Sequence, residues 1–290
     1  MKSNDTGYKK WTATSKMMEC WKLADGWFYR AEPSVIIEKE LPIYINGKHL
    51  VTASITPAME REFVIGYLFG QGFINSLEDL ISVKLEDNAA QVLLKDPDKV
   101  SQKTRGTSYR IVSGGGRVAY ADKVNLPDIH NRWKISQQII YKAMNTLFET
   151  ARMYRETEGV HATGLFTTEG NLVCIVEDIG RHNTLDKVTG YSLLNEVDCG
   201  NTFLVSTGRM ASEMVAKICR VGIPLVATKT AVTDKGLEIG RKHGLTIIGF
   251  VRDIGTRINT DMEVRVINRA GMKIYTNAGR VPCEENRALR

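Results

Sequence analysis

From Gly159 onward the chain alternates short apolar runs with helical patterns, and this alternation restricts the possible folds more than any other feature. Apolar runs at 164–168, 172–177, 202–206, 223–228 and 245–251 predict strands. Helical spacing between them predicts helices at 184–196, 211–221 and 232–243. Gly222 and Gly244 fall where a helix C-terminus needs a left-handed residue. Strands separated by helices need crossover connections, which favour a parallel sheet covered by helices. The first two strands are joined by Thr168-Glu-Gly-Asn171 and predict an antiparallel hairpin instead. The fold class expected is therefore α/β: a mainly parallel C-terminal sheet with helices on both faces, plus a smaller α+β N-terminal part.

That smaller part begins where Val35-Ile-Ile-Glu-Lys-Glu-Leu-Pro-Ile-Tyr-Ile45 reads as one strand. Asn46-Gly47 is a strong tight-turn signal and leads into a second strand through Ile55. Thr56 and Pro57 predict a helix cap and first helical residue. That helix carries Phe63, Val64, Tyr67 and Leu68 and stops near Gly70–Gly72. Strands at about 80–86 and 91–95 follow, then a polar loop over 96–109. A long amphipathic helix is expected over 136–157. Its stripe of Ile139, Ile140, Ala143, Met144, Leu147, Phe148 and Ala151 is core packing.

A length of 290 residues with 43% apolar content suits one large domain or two unequal ones. We divide it into an N-terminal extension over 1–34, a small α+β domain over 35–130, an α/β core over 131–262 and a C-terminal extension over 263–290. The N-terminal extension holds three of the four tryptophans and is expected to pack on the body. No apolar run is long enough to span a bilayer, and the first residues lack an apolar signal region, so a cytoplasmic location is expected. Cys20, Cys174, Cys199, Cys219 and Cys283 are scattered, with no CxxC pair. That argues against a disulfide framework or a cysteine-based zinc site. The net charge of +6 fits acidic partners, but no helix-turn-helix, RNP or finger signature supports a nucleic-acid binder.

Ligands of α/β sheets bind outside the carboxyl ends of strands, where helices begin. Two polar segments occupy such places. In Glu177-Asp-Ile-Gly-Arg-His-Asn183, Gly180 permits an unusual turn, Arg181 offers a planar fork of donors, and His182 adds a donor or acceptor. Asn183 is placed to cap the next helix, whose first turn carries Asp186 and Lys187. Ser206-Thr-Gly-Arg-Met-Ala-Ser-Glu213 repeats the pattern with Thr207, Gly208 and Arg209, and Ser212 as the expected cap. Both arginines can converge on one polyanion. His161 lies between glycines in Gly159-Val-His-Ala-Thr-Gly164. Zinc deaminases use H-x-E with a later P-C-x-x-C; Thr163 stands in place of the glutamate and the second motif is absent, so a deaminase reaction is not expected. Ser113, Gly114, Gly115 and Gly116 form a run that can turn backbone N–H groups toward an anion or simply make a flexible loop; it lacks the ending of a P-loop.

Taken in order, these segments resemble the FdhD/NarQ family of formate dehydrogenase accessory proteins. The resemblance runs from about Val35 to Thr260. It includes Glu40-Leu-Pro-Ile-Tyr-Ile-Asn-Gly47, Gly66-Tyr-Leu-Phe-Gly-Gln-Gly-Phe-Ile74 and Gly159-Val-His-Ala162, and is most specific at Asp178-Ile-Gly-Arg-His-Asn-Thr-Leu-Asp-Lys187. Ser206-Thr-Gly-Arg-Met-Ala-Ser-Glu-Met-Val215, Gly222-Ile-Pro224 and Gly244-Leu-Thr-Ile-Ile-Gly-Phe-Val-Arg252 complete it. The resemblance implies a C-terminal part similar to cytidine deaminase, a homodimer, and a role in maturing a molybdenum-dependent formate dehydrogenase. It implies a cysteine desulfurase as sulfur donor, a formate dehydrogenase apoenzyme as recipient, and the bis-molybdopterin guanine dinucleotide cofactor as ligand, with GDP as a mimic. Phe250, Val251, Arg252, Asp253, Ile254 and Gly255 match a stretch implicated in cofactor binding. The family carries sulfur as a persulfide on a loop cysteine. Here the corresponding loop reads Ile111-Val-Ser-Gly-Gly-Gly-Arg-Val118 without one, and glycine or serine cannot replace a thiolate nucleophile. The region around Lys229-Thr-Ala-Val-Thr233 also departs from the Ser-Ala-Pro-Thr pattern expected there. A sulfuration accessory and a binding module without sulfur chemistry both remain open at this point.

Overall fold

The computed structural model describes residues 13–96, 109–111, 126–253, 257–259, 264–266 and 270–282. Four short strands come first: β1 (Ser15–Met17), β2 (Cys20–Ala24), β3 (Trp27–Ala31) and β4 (Ser34–Ile36). β1 pairs antiparallel with β4, while β2 and β3 form a hairpin across Asp25 and Gly26, both at positive φ. The expectation that this region packs on the body is corrected for its aromatic residues. Trp21, Trp27 and Phe28 are 64%, 77% and 70% exposed, because a two-stranded ribbon has two faces and neither meets the core.

A five-stranded sheet follows, in the order β7-β8-β5-β6-β9. Its strands are β5 (Lys39–Ile45), β6 (Lys48–Ile55), β7 (Leu80–Glu86), β8 (Ala89–Leu94) and β9 (Tyr109–Ile111). The single strand expected over 35–45 is two, β4 and β5, with separate partners. Asn46 and Gly47 lie at φ 48° and 78°, the left-handed pair that a tight hairpin turn requires. Leu41, Ile43 and Ile45 alternate onto the buried face. There they meet α1 (Glu60–Gly70), whose residues Phe63 to Leu68 are all buried. This helix does not start at the expected Thr56–Pro57 cap. The Thr56 N–H, hydroxyl and carbonyl are bound instead to Asp178, the Ile179 N–H and Lys187, and the chain bends through residues 57–59, where Met59 is left-handed at φ 53°, before the helix begins.

The rest of the chain forms α2 (Gln137–Thr150), α3 (Arg152–Thr157), β10 (His161–Thr167), β11 (Leu172–Asp178), α4 (Arg181–Leu194), β12 (Thr202–Ser206), α5 (Ser212–Val221), β13 (Leu225–Thr228), α6 (Asp234–Lys242), β14 (Thr246–Arg252), β15 (Arg257–Asn259), β16 (Val264–Val266) and β17 (Gly271–Ile274). The long helix expected over 136–157 is broken at Ala151. Glu177 explains the break: its buried carboxylate accepts the Met153 and Tyr154 N–H groups at 3.3 and 2.7 Å, capping a new helix start. The six-stranded sheet has the order β11-β10-β12-β13-β14-β17. Only β12–β13 and β13–β14 are parallel; β10–β11, β10–β12 and β14–β17 are antiparallel. The sheet is thus mixed, a correction to the mainly parallel expectation. The hairpin of β10 and β11 inserts beside β12, and β17 returns from the C-terminal segment to close the other edge. Helices cover both faces as expected. α2 packs on Phe166, Phe203 and Ile248, and α4, α5 and α6 pack on Leu165, Leu204 and Ile247.

The two sheets are joined through α1 and α4. These helices cross so closely that a Cβ on Gly66 would stand 1.8 Å from the Asp186 carbonyl, and one on Gly190 would stand 1.8 Å from that of Glu62. Glycine is required because the obstacle on each side is backbone, which cannot turn aside as a flexible side chain can. Gly190→Ala is therefore expected to push the helices apart and cost roughly 3 kcal/mol or more in urea unfolding. Gly271→Ala, whose Cβ meets nothing within 4 Å, should change stability by no more than about 0.5 kcal/mol. Equal effects of the two substitutions would show that the crossing is not tight.

Candidate functional site

The strand ends converge on one edge of the six-stranded sheet. β11 ends at Asp178, β12 at Ser206, β13 at Thr228 and β14 at Arg252, while the antiparallel β10 begins there with His161 opposite Asp178. The candidate site segments that lie among the described residues thus reach the same edge. The structure sorts their side chains into two groups.

The first group is buried and internally paired. Asp178 and Lys187 form a 2.6 Å ion pair with neither side chain exposed. Asp178 also accepts the Thr56 N–H, the Gly180 N–H and the Asn183 amide at 3.1, 2.9 and 2.8 Å. The Lys187 ammonium donates further to the carbonyls of Thr56 and Glu177. Asn183 is not the expected N-cap: Gly180 holds that position, and the Asn183 amide also reaches the Ser54 carbonyl. Asp186 takes both of its bonds, at 2.7 Å each, from Lys217. Burial raises the Asp186 pKa, and the Lys217 charge opposes that rise. Ser212 likewise is the first residue of α5 rather than its cap, which is Ala211. Asp178, Asn183, Asp186 and Lys187 therefore brace the start of α4.

The second group stands at the edge and is cationic. Arg181 and His182 open α4, Arg209 follows β12 and is exposed, and Lys229 follows β13. Gly208 lets Arg181 approach, since a Cβ there would lie 2.8 Å from the Arg181 Cβ. Burial, then the like charge of Arg209, lowers the Arg181 pKa, with Glu213 opposing. His161 lies 3.2 Å through Nδ1 from the Thr207 hydroxyl, which also accepts the Ala162 N–H. Burial lowers the His161 pKa, and the charges of Arg181, Lys229 and Arg209 lower it further. Asp178 opposes this shift. His182 is pushed down to about 3, by burial first and then by Lys217 and Arg181. Its Nε2 is 3.4 Å from Glu213, but a neutral ring makes no ion pair there. Neither this Nε2 nor the Arg181 Nε, both buried atoms, has a hydrogen-bond partner among the described residues.

The 250–255 segment contributes through its backbone. Phe250 adopts φ 53°, rare for an aromatic residue, within an irregularity of the β14–β17 register. Its ring lies beneath Lys273 at 4.8 Å, Val251 is buried in the core, and Asp253 accepts the Asn145 amide at 2.7 Å. The Arg252 guanidinium turns onto the Lys229 carbonyl and so ties β14 to the cationic edge. Ile254, Gly255, Ser113, Gly114, Gly115 and Gly116 lie outside the described residues.

Lys229 escaped the sequence reading as a site residue, together with Tyr154. The Lys229 ammonium donates to the Tyr154 hydroxyl at 2.6 Å and lies 5.1 and 5.0 Å from the ring centres of Phe148 and Tyr154. Its position directly after a strand, equivalent to that of Thr207, was the available signal. Tyr154 gave none, because it arrives from the helix layer. The cysteines stand apart. Burial pushes Cys174 and Cys219 up to about 12 and raises Cys199, each away from thiolate character. Cys20 is exposed on β2, and Cys283 lies outside the described residues. Among the described residues no His, Cys, Asp and Glu cluster suits a metal, and no helix is long and apolar enough to cross a membrane.

The fold and edge define a mixed α/β protein with arginine turns and cationic side chains gathered at the strand ends of one sheet. Within it, the FdhD/NarQ family profile matches residues 36–282, and the chain belongs to that family. It is similar to the sulfur carrier protein FdhD of Sulfolobus acidocaldarius, with 32% identity over 245 residues covering 83% of this chain and 95% of that protein. It is also similar to the sulfur carrier protein FdhD of Shouchella clausii, with 29% identity over 253 residues covering 84% and 94%. The crystal structure of a putative formate dehydrogenase accessory protein from Desulfotalea psychrophila shares the fold. Its TM-score is 0.72 at 23% identity, covering 93% of this chain and all of that one.

The neutral His182 predicts a pH dependence. Its folded pKa of about 3 lies below the ordinary 6.5, so between these values the unfolded chain binds more protons than the folded one. Stability is then greatest above pH 6.5 and falls as pH descends. The His182 share of the loss between pH 7 and 5 is about 2 kcal/mol. Urea unfolding of His182→Gln at the two pH values should show a correspondingly smaller drop than the original chain. An equal drop would rule out this histidine as a source.

Proposed function

We propose that the cationic edge formed by Arg181, Arg209 and Lys229 around His161 holds the phosphates of the bis-molybdopterin guanine dinucleotide cofactor, for delivery to a formate dehydrogenase apoenzyme. The observation that carries this reading is that Arg181, Arg209 and Lys229 follow three different strand ends at one edge of the sheet, where a fourth strand begins with His161. Like charges brought together repel and lose hydration, a cost that a polyanion offsets on binding. The residues fit such a group. The arginines offer forked donors, the Arg181 Nε and His182 Nε2 retain hydrogen-bonding capacity, and Glu213 is the carboxylate closest to His182. The braced group beneath keeps these donors in place without turning its own charges toward the ligand. The reading carries with it a homodimer and the deaminase-like layout of the core that the family resemblance implies.

Sulfur chemistry is the second reading, and the exposure of Cys20 favours it. A cysteine desulfurase would pass its sulfane sulfur to the Cys20 thiolate, forming a persulfide there and leaving the desulfurase cysteine as thiol. The buried Cys174 and Cys219 are unsuited to this step. Labelled sulfur from a desulfurase, traced by mass spectrometry, separates the readings. No reductant-sensitive adduct on any cysteine leaves the binding role alone.

Calorimetry with GDP tests the main reading. Arg181→Ala and Arg209→Ala are each expected to weaken binding by about tenfold or more, the size of one charge-assisted contact. Lys187→Ala should instead lower the melting temperature, because it leaves Asp178 buried and unpaired, at roughly 3–5 kcal/mol. GDP binding that is untouched by both arginine substitutions would overturn the assignment.

A further inference from the structure

A second basic feature lies at the opposite, amino edge of the same sheet. Residues 126–135 cross there as an extended strap. Ile129 donates to the His243 carbonyl just before β14, and Asn131 and Trp133 both donate to the Gly200 carbonyl just before β12. Ile135 closes the strap by donating to the Arg280 carbonyl. Gly244 makes the approach possible: it sits at φ 77°, and a Cβ there would stand 2.7 Å from the Ile129 carbonyl. Between the strap and the turn after β17 runs a groove of about 490 Å3, within the usual size range of small-ligand sites.

The charges lining this groove are of one sign. Arg132, Lys134 and Arg280 contribute to it, together with His130, Trp133, Asn131 and Asn277, and no aspartate or glutamate does. Arg280 is the fixed member, only 9% exposed. Its Nε donates to the Thr246 hydroxyl at 3.0 Å, and its guanidinium lies 5.0 Å from the centre of the Trp133 ring. Burial lowers its pKa, yet among the described residues no carboxylate stands within ion-pair distance of it. Asp128, on the strap, is engaged with His243 at 3.0 Å. A buried guanidinium held in position by a hydroxyl and an indole, with two exposed cations beside it, is a built receptor for an oxyanion.

We infer that this groove is a second anion site, independent of the cationic edge, which takes a small phosphate-bearing ligand of about pyrophosphate size. β14 separates the two sites, by roughly 20 Å at about 3.3 Å per residue. One bound group therefore cannot contact both as a single pyrophosphate. Arg132 and Lys134 supply exposed charges and Arg280 supplies the oriented fork, while Asn131 and Asn277 fix the lining by donating to the Gly200 and Leu245 carbonyls.

Calorimetry with inorganic pyrophosphate on the full chain tests this directly. The Arg132→Ala/Lys134→Ala double variant changes two exposed side chains and should fold normally. It is expected to lose at least about tenfold in affinity at one of two sites. Arg181→Ala/Arg209→Ala should leave that site intact. A chain keeping Trp133, with Trp11, Trp21 and Trp27 changed to Phe, localises the event. Its fluorescence should respond to pyrophosphate in the arginine-edge variant and not in the groove variant. No response of Trp133, or unchanged binding by the groove variant, would overturn the site. Loss at the groove alone, with no second site sensitive to Arg181 and Arg209, would uphold this inference and count against the cofactor reading.

Discussion

The 2.6 Å contact between Asp178 and Lys187 is the constraint around which the rest is arranged. Removing both charges from water costs several kcal/mol each, so the pair persists only because its remaining hydrogen-bonding capacity is filled. It is filled from three directions. Thr56 comes from the end of β6, Gly180 and Asn183 come from the start of α4, and the Glu177 carbonyl comes from β11. No one of these segments can shift without leaving a buried charge short of a partner. The pair therefore does for the two sheets what a disulfide does in a secreted protein. It fixes the end of β6 against the carboxyl edge of the second sheet.

Two consequences follow for packing and for the site. With Thr56 bound to Asp178, α1 must begin several residues later and pass directly over α4, and Gly66 and Gly190 are what allow the crossing. With Asp178 and Asn183 turned inward, Arg181 is left to face the strand-end edge beside Gly208, since adjacent positions of a helix start cannot share one face. The orientation of the cations is thus set by the burial of the acids and the amide. Asp186 and Lys217 repeat the arrangement one turn further on, tying α4 to α5 and so to the β12 end that carries Arg209. Cationic side chains that would repel one another on a flexible loop are held together by neutral or self-compensated structure beneath them.

Much of this was legible in the sequence, and the gaps have physical causes. Strand and helix order after Gly159 followed from period and glycine placement, because each element buries one face and ends at a residue suited to the turn. The Asn46-Gly47 hairpin was legible for the same reason. Strand direction was not: alternation with helices favours parallel pairing, but nothing local reveals that β10 sits between β11 and β12 or that β17 returns to the edge. The break at Ala151 and the late start of α1 were hidden because their causes, Glu177 and Asp178, are distant in sequence. At the site, the motif 178–187 pointed to the edge where Arg181, Arg209 and His161 come together, while mixing inward-bracing and edge-facing residues in one string. Acidic and amide residues next to arginine look the same in sequence whether they face a ligand or a core. Lys229 was passed over because its segment was judged by its departure from a pattern rather than by its place after a strand.

The distribution of cysteines bears on what this family member can do. A thiolate nucleophile is stabilised by nearby cations, and the cationic edge would lower the pKa of a cysteine placed within it. Among the described residues none is. Cys174 and Cys219 lie in apolar packing that raises their pKa to about 12, and Cys20 stands on the exposed β2–β3 ribbon. The expected carrier loop has serine and glycine at 113–116. In the proposed reading the polyanion grip depends on residues that the fold braces from beneath, and no described cysteine shares their cationic surroundings. The bracing itself rests on contacts that join the end of β6, the end of β11 and the start of α4 through the Asp178–Lys187 pair.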